Sequence, residues 1–246
     1  AEVGGDPALV ELAPGGPDHL RLTLHLPHWE GLIHLVERAR RLAGLDADPE
    51  EAVGVLTRSR LLRPLLERRP GLRVPGCWDP FETSVRTILG QQVGVPAASL
   101  FAGRLAAAAG TPVPGLGAVG ITHLFPTAAA LADADLADVG LTTARVVAVR
   151  AFAAAVAEDR IRLDRSVGLE ALEASLTALP GIGPWTAQCI ALRLGEPDAF
   201  PAGDLGLRRA VRRLDPAGPG DAAGIQRLAE SWRPWRALAA VHLWAA

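Results

Sequence analysis

Four amino acids are missing from the chain: lysine, methionine, asparagine and tyrosine. All four have A/T-rich codons, so GC-rich coding explains their loss, and it explains without any function why all 25 basic residues are arginine. No lysine side chain is therefore present to form a Schiff base. Only two cysteines occur, Cys77 and Cys189, which excludes a disulfide framework, a four-cysteine zinc site and a four-cysteine iron–sulfur cluster, and which suits a reducing cytoplasm.

Length, charge and hydropathy narrow the class of protein. The 246 residues allow one large domain or two small ones, and 49% hydrophobic against 21% charged residues exclude bulk disorder. A net charge of −2 excludes a strongly basic nucleic-acid coat, although a local basic patch is enough for nucleic-acid binding. No signal peptide is expected, because the first 25 residues hold no apolar run after a basic start. The longest uncharged run, residues 105–132, is interrupted by three prolines and four glycines, which argues against a membrane span. The six histidines show no metal-ligand spacing.

The first part of the chain, residues 1–74, predicts a small α/β unit. Residues 8–13 and 20–26 alternate apolar and polar side chains, as β-strands do, and a Pro/Gly turn separates them. Pro27 is predicted to open a helix that runs to about residue 45. Asp48 is predicted to cap a second helix that runs to about residue 69.

Residues 75–246 predict an all-α domain. Strand signals are weak there, and alanine-rich segments of helical periodicity are separated by Gly, Pro, Thr and Asp breaks. The predicted helices cover residues 79–93, 96–109, 127–132, 135–139, 142–157, 168–178, 184–194, 204–213, 221–229 and 233–244.

The turn at residues 179–183, with the sequence LPGIG, lies between two of these helices. Gly181 and Gly183 allow positive φ and close backbone approach, and Pro184 suits the first position of a helix. Free N–H groups would then lie at a helix N-terminus, where a phosphate oxygen is favoured, and apolar Ile182 would fill the gap between the helices. This is the helix–hairpin–helix arrangement, which binds a nucleic-acid backbone without reading its sequence. The alternative is an ordinary helical turn with a glycine cap.

Asp204 follows this turn and precedes an apolar, arginine-rich helix. Because Asp is a preferred N-cap, one interpretation is purely structural; the other is a carboxylate that faces a sugar beside a DNA-binding hairpin, and the two are compatible. The arginines after Asp204 have no acid between them, so they form either a phosphate-facing patch or a merely solvated face. They are Arg208, Arg209, Arg212 and Arg213.

These motifs resemble those of the helix–hairpin–helix DNA glycosylases (the HhH-GPD superfamily), and within it the bacterial 3-methyladenine DNA glycosylase II (AlkA) type. The hairpin LPGIGPWTA at 179–187 and Asp204 carry the superfamily match, and the stretches at 75–95 and 232–246 narrow it. The resemblance implies a mainly α fold. Two helical lobes surround a cleft and are preceded by the small α/β domain at 1–74.

The resemblance also implies site residues. Asp204 is the expected catalytic carboxylate, and Trp185, Trp244 and Cys189 are expected to line the base pocket, whereas Trp232 and Trp235 are expected to pack in the core. The expected DNA contacts come from Gly181, Ile182, Gly183, Thr186, Gln91, Gln92 and Arg208. The only implied cofactor is a structural monovalent cation on the backbone carbonyls of Thr177, Leu179 and Ile182.

The implied function is a monofunctional DNA glycosylase of base excision repair. It flips an alkylated base out of duplex DNA and hydrolyses the N-glycosidic bond, leaving an abasic site. Asp204 stabilises positive charge on the sugar, by its charge alone or through a water. Members that also cleave the strand use a lysine at the position of Trp185, so no lyase activity is expected here, and the α-amine of Ala1 has no reason to reach the cleft. A monomer in the bacterial cytoplasm, associated with the nucleoid and not with membranes, is expected.

Three positions depart from the family type. Gln92 replaces an apolar leucine in the loop that wedges into the duplex, and Cys189 and Ala245 replace tyrosines, so the pocket should be roomier and less aromatic. These departures keep one alternative open, a non-catalytic helix–hairpin–helix protein that binds DNA or recognises lesions. Another alternative is the glycosylase module of a larger fused alkylation-repair protein, since the chain begins with Ala1 and not with Met.

Overall fold

The structure of the chain is a computed structural model that describes residues 2–3 and 5–246. These residues form a mainly helical protein with small strand pairs, most of them near the N-terminus, which confirms the predicted fold class. Among the described residues, every helix is too short or too polar to span a bilayer.

The N-terminal part is built on a β-hairpin. Strands β3 (Leu9–Pro14) and β4 (Leu20–His25) pair antiparallel, as the alternating pattern predicts, and a short pair, β1 (Glu2–Val3) with β2 (Asp6–Pro7), precedes them. Val3, Ala8 and Leu35 form a small apolar cluster that joins the strands to helix α1 (Leu32–Leu42).

Two predicted helices are wrong in extent. Helix α1 begins at Leu32, after Gly31 in a left-handed conformation, and not at Pro27. The predicted helix 49–69 divides into α2 (Pro49–Leu56) and α3 (Arg63–Arg68). Pro64 explains the division, because its ring blocks the preceding turn and it has no N–H to donate. The predicted cap is confirmed, since the Asp48 carboxylate accepts the Glu50 N–H at 2.9 Å.

The remainder is mostly helical and follows the predicted segments closely, except that the predicted helix 79–93 ends at Leu89 and a loop follows it. Residues 135–139 form only a short 3₁₀ turn, Ala137–Val139, and the last helix begins at Arg236 after another, Glu230–Trp232. One strand pair, β5 (Thr111–Pro112) with β6 (His123–Leu124), was not predicted. The helices are α4 (Pro80–Leu89), α5 (Val95–Ala109), α6 (Ala128–Asp133), α7 (Thr143–Ala157), α8 (Leu169–Thr177), α9 (Pro184–Leu194), α10 (Leu205–Leu214), α11 (Ala222–Ala229) and α12 (Arg236–Trp244).

One hydrophobic core extends from helix α2 to helix α12. Trp232 is buried there as predicted, with its ring edge-on to Phe200 at 5.8 Å, and Trp235 packs against the same core. A buried ion pair fixes the start of α12, because Arg236 donates to both oxygens of Asp198 at 2.7 and 2.8 Å. The helix that ends at Trp244 is thereby tied to the loop that leads into α10.

Candidate active site

The predicted hairpin lies between α8 and α9. Gly181 has φ +74°, and a Cβ atom there would stand 2.9 Å from the Ala148 side chain on α7, so the turn requires glycine for both its conformation and its close approach. Ile182 is buried between the helices, as predicted. No described residue accepts a hydrogen bond from the exposed N–H groups of Gly181 and Gly183. The turn therefore offers free donors at the N-terminus of α9.

Asp204 is the N-cap of α10. Its backbone is extended, with φ −63° and ψ 130°, and its Oδ1 accepts the Leu207 N–H at 2.9 Å. The preceding loop is fixed as well, since the Gln188 side chain on α9 accepts the Phe200 N–H at 2.8 Å. The structural interpretation of Asp204 is thus correct, and it leaves the second carboxylate oxygen free for other partners.

Two indoles hold the same carboxylate. Trp185, in the first turn of α9, donates its Nε1–H to Oδ2 at 3.1 Å, and Trp244, at the end of α12, donates to Oδ1 at 2.8 Å. Asp204 and Trp185 are half-buried, whereas 40% of Trp244 is exposed. Both predicted aromatic pocket residues therefore meet at the predicted acid, and the acid is oriented from three sides.

A cleft adjoins this cluster. Its volume is about 620 Å³. Its lining residues include Trp185, Phe200, Gly203 and Arg236. Of the four predicted residues Asp204, Trp185, Trp244 and Cys189, only Trp185 lines this cleft, so the cleft is not the predicted base pocket.

Cys189 lies one helical turn beyond Trp185 on α9. Burial, together with the negative charge of Asp204 and against a smaller opposing effect of Arg193, raises the pKa of its thiol to about 12. The thiol is therefore neutral near pH 7, and a neutral thiol is a poor nucleophile.

Gly206 is a site residue that the sequence did not reveal. A Cβ atom at this position would stand 2.9 Å from Asp204 Oδ1 and 3.2 Å from Trp244 Cδ1. The indole of Trp244 reaches the carboxylate only because the first turn of α10 carries no side chain here. No local signal marks this glycine, because Trp244 is distant in sequence.

The loop 90–94 between α4 and α5 faces the hairpin. The Gln91 side chain donates to the Gly181 carbonyl at 3.0 Å and to the Thr186 hydroxyl at 2.8 Å. Gln92 is exposed and has φ +58°, the left-handed region that a residue with a side chain rarely adopts. Of the two glutamines, only Gln92 projects into open space.

Two other predicted contact residues have protein partners. Thr186 is buried with its hydroxyl against Gln91, so only its N–H remains for a phosphate. Arg208 donates through Nε and Nη2 to the Gly220 carbonyl at 3.1 and 3.0 Å, which commits most of its guanidinium. The arginines that stay exposed on α10 are Arg209, Arg212 and Arg213.

The predicted cation would lie on carbonyls at the hairpin. In the described part of the chain, the Thr177 and Ile182 carbonyls accept no hydrogen bond, and the Leu179 carbonyl accepts only the Ile182 N–H at 3.3 Å. Neutral oxygen ligands of this kind suit a hard monovalent cation. The described residues contain no His/Cys/Asp/Glu cluster able to hold a metal ion.

Two family models match the chain. The AlkA N-terminal domain matches residues 2–79, and the HhH-GPD superfamily base excision DNA repair protein matches residues 85–235.

Curated relatives and a solved structure agree with these matches. A Mycobacterium tuberculosis protein named "Probable bifunctional transcriptional activator/DNA repair enzyme AlkA" is 42% identical over 96% of this chain, which spans only 47% of that protein. The Escherichia coli "DNA-3-methyladenine glycosylase 2" is 34% identical over 93% of this chain and 78% of its own length. The structure of a 3-methyladenine DNA-glycosylase from Archaeoglobus fulgidus superposes with a TM-score of 0.77 at 24% identity, covering 99% of this chain and 84% of the other.

Proposed function

Since the chain belongs to the HhH-GPD superfamily of base excision DNA repair proteins, we propose that it is a monofunctional DNA glycosylase of the 3-methyladenine type. It removes alkylated bases from duplex DNA and leaves an abasic site. The observation that carries this proposal is the Asp204 carboxylate, which two indoles and one backbone N–H hold beside the hairpin.

The chemistry follows from the charge of the substrate. Alkylation at a purine ring nitrogen makes the base cationic and therefore a good leaving group. As the glycosidic bond lengthens, positive charge develops on the sugar, and a fixed carboxylate in a water-poor site stabilises that charge. The same carboxylate can orient the attacking water. Because its hydrogen bonds already exist in the free protein, little reorganisation is needed at the moment of reaction.

The base pocket combines two aromatic faces with a small wall. Electron-poor alkylated bases stack well on indoles, with an added cation–π attraction. The exposed face of Trp244 can receive a base while its Nε1–H stays on Asp204. Cys189 occupies less volume than an aromatic residue, which makes the pocket roomier. This favours a broad range of alkylated bases over one tightly fitted lesion.

Double-stranded DNA is the proposed partner. The free N–H groups of Gly181 and Gly183 bind phosphate oxygens, with a monovalent cation on the adjacent carbonyls, and Gln92 fills the space that the extruded base leaves. The exposed arginines of α10 add a sequence-independent attraction. We propose that the protein acts as a monomer, with residues 1–74 as an N-terminal domain and residues 75–246 as the glycosylase domain.

The proposed reaction ends at the abasic site. Strand cleavage by this superfamily needs an amine that attacks the sugar, and the chain contains no lysine. Trp185 occupies the position of that lysine in the hairpin helix. The remaining candidate, the α-amine of Ala1, lies outside the described residues.

Asp204→Asn tests the function. Asn retains the N-cap preference, so α10 should stay folded, but the negative charge is lost and an amide N–H₂ opposes an indole donor. We expect release of 3-methyladenine from methylated duplex DNA to fall at least about a thousandfold, with DNA affinity within about threefold of the parent.

Asp221→Asn is the matched control, because Asp221 caps α11 through the Gly224 N–H at 2.8 Å and has no indole partner. This variant should excise normally. Near-parental excision by Asp204→Asn would refute the proposal and favour the alternative of a non-catalytic DNA-binding protein, as would a parent protein that binds lesions without releasing any base.

A further inference from the structure

We infer that Arg145 is a positioning residue that, together with the Gln91 side chain, locks the loop 90–94 onto the hairpin. The phosphate-binding turn and the side chain that enters the duplex then move as one rigid unit. The inference deepens the proposed function and rests on it only for its consequence in base extrusion.

The first part of the lock is the side chain of Gln91. Its amide donates to the Gly181 carbonyl at 3.0 Å and to the Thr186 hydroxyl at 2.8 Å. One partner is in the hairpin turn and the other in the first turn of α9, and Thr186 is only 2% exposed. Both donor hydrogens of this amide are therefore used inside the protein, which fixes the loop to the element that binds phosphate.

The second part is the guanidinium of Arg145. Its Nη2 donates to the Gln91 backbone carbonyl. This carbonyl belongs to the peptide bond that leads into Gln92, the residue with φ +58°. A left-handed conformation is unfavourable for a residue with a side chain and persists only where neighbouring contacts hold it. Arg145 supplies such a contact on the chain segment directly before the strained residue.

The helix that carries Arg145 also supports the hairpin from behind. Ala148 on α7 is one turn from Arg145 and lies where the Gly181 turn approaches most closely. A single helix therefore contacts the loop through Arg145 and the hairpin through Ala148. Loop, hairpin and α7 form a closed triangle of contacts.

Rigidity of this kind matters for extrusion of a base. Flipping a paired nucleotide requires unstacking and unpairing, and less work is needed when the base is mispaired. A side chain on a rigid loop can oppose the return of the base, whereas the same side chain on a mobile loop would yield. Losing the lock should therefore slow excision most where extrusion is hardest.

Arg145→Met tests this inference, since Met keeps the aliphatic stem and removes the guanidinium. Arg150→Met on the exposed side of α7 is the matched control, because the only hydrogen bond of the Arg150 side chain among the described residues is a long one of 3.4 Å to the Asp133 carbonyl. The first measurement is amide hydrogen exchange of residues 90–94 without DNA. We expect about tenfold faster exchange in Arg145→Met and no change in Arg150→Met.

The second measurement compares excision of one lesion in a matched and in a mispaired duplex. Arg145→Met should lose about tenfold more activity on the matched than on the mispaired lesion. Gln91→Met, which removes the other part of the lock, should show the same exchange and excision pattern, and it serves as the second variant if Arg145→Met does not fold. Unchanged exchange in the loop, or equal losses on both duplexes, would overturn the inference. If the parent protein released no base, the proposed function would fail, and the exchange data alone would still decide whether the lock exists.

Discussion

Gly206→Ala should lower excision without destabilising the protein. The change adds one methyl group in the first turn of α10, directly under the Trp244 indole. The new Cβ would stand 3.2 Å from Trp244 Cδ1 and 2.9 Å from Asp204 Oδ1. Ordinary contacts between such atoms are about 3.5–4.0 Å long. The indole, the carboxylate or both must therefore move by about half an ångström.

This displacement acts on the hydrogen bond that orients the acid. The Trp244 Nε1–H to Asp204 Oδ1 distance is now 2.8 Å, and an added half ångström takes it beyond the usual upper limit of about 3.2 Å. A hydrogen bond to a charged group contributes about 1.5–3 kcal/mol. If that contribution is realised in the transition state, the excision rate falls by about 10- to 100-fold.

The free energy of unfolding of Gly206→Ala should rise slightly or stay unchanged. Replacing a helical glycine by alanine stabilises a helix by up to about 1 kcal/mol, which offsets the crowding. Gly103→Ala is the control for this gain, because a Cβ atom on that α5 glycine meets nothing within 4 Å. Gly103→Ala should raise the melting temperature slightly and leave excision unchanged.

The assay is single-turnover release of methylated purines from duplex DNA at saturating enzyme, with thermal unfolding measured in parallel. A Gly206→Ala variant that excises at the parental rate would refute the argument that Trp244 orients Asp204. A variant that lost activity only in proportion to lost folded protein would also refute it, because the effect would then be one of stability.

Three further predictions concern the thiols and the amines of the chain. Because burial raises the folded-state pKa of Cys189 to about 12 from 9.0, its contribution to stability is complete below about pH 9 and is lost as the pH rises towards 12; a Cys189→Ala variant should lose less unfolding free energy than the parent over that interval. At pH 8, both cysteines should react with iodoacetamide at least about a hundredfold more slowly in the folded than in the urea-unfolded protein, because folding raises the pKa of both thiols and Cys77 is also buried; equal rates would contradict this. Incubation with lesion DNA and borohydride should trap no covalent complex, and strands should break only after heat or base; a trapped complex would show that an amine attacks the sugar.

Local signals in the sequence predicted most of the helices. Asp48 was identified as a cap because a carboxylate before a proline and two acids is typical of a helix start, and the structure confirms it. The pattern of residues 49–69 predicts one long helix, whereas the structure has two, with Pro64 in the first turn of the second. The short strands β5 and β6 escaped prediction because a two-residue pair has no periodicity to detect.

The sequence predicts which residues belong to the candidate site, but not which of them contact one another. Asp204, Trp185 and Trp244 come from three separate elements, and no spacing rule shows that two indoles donate to one carboxylate. Arg208 illustrates the opposite failure, since a run of arginines does not reveal that one of them binds the Gly220 carbonyl. Long-range partners of this kind are decided by tertiary packing, and they also determine which polar side chains stay free for DNA.

The close approach of the Gly181 turn to Ala148 sets a size limit deep inside the protein. Ala148 is 1% exposed and cannot contact a ligand. Its methyl group nevertheless packs directly against the turn that carries the exposed N–H donors. A bulkier residue at position 148 would displace the Gly181 turn and misalign backbone N–H donors that it does not contact. Selection for tighter DNA binding would therefore act on the volume of interior side chains as much as on surface charge. A mutational search confined to exposed positions would miss the effect of residue 148.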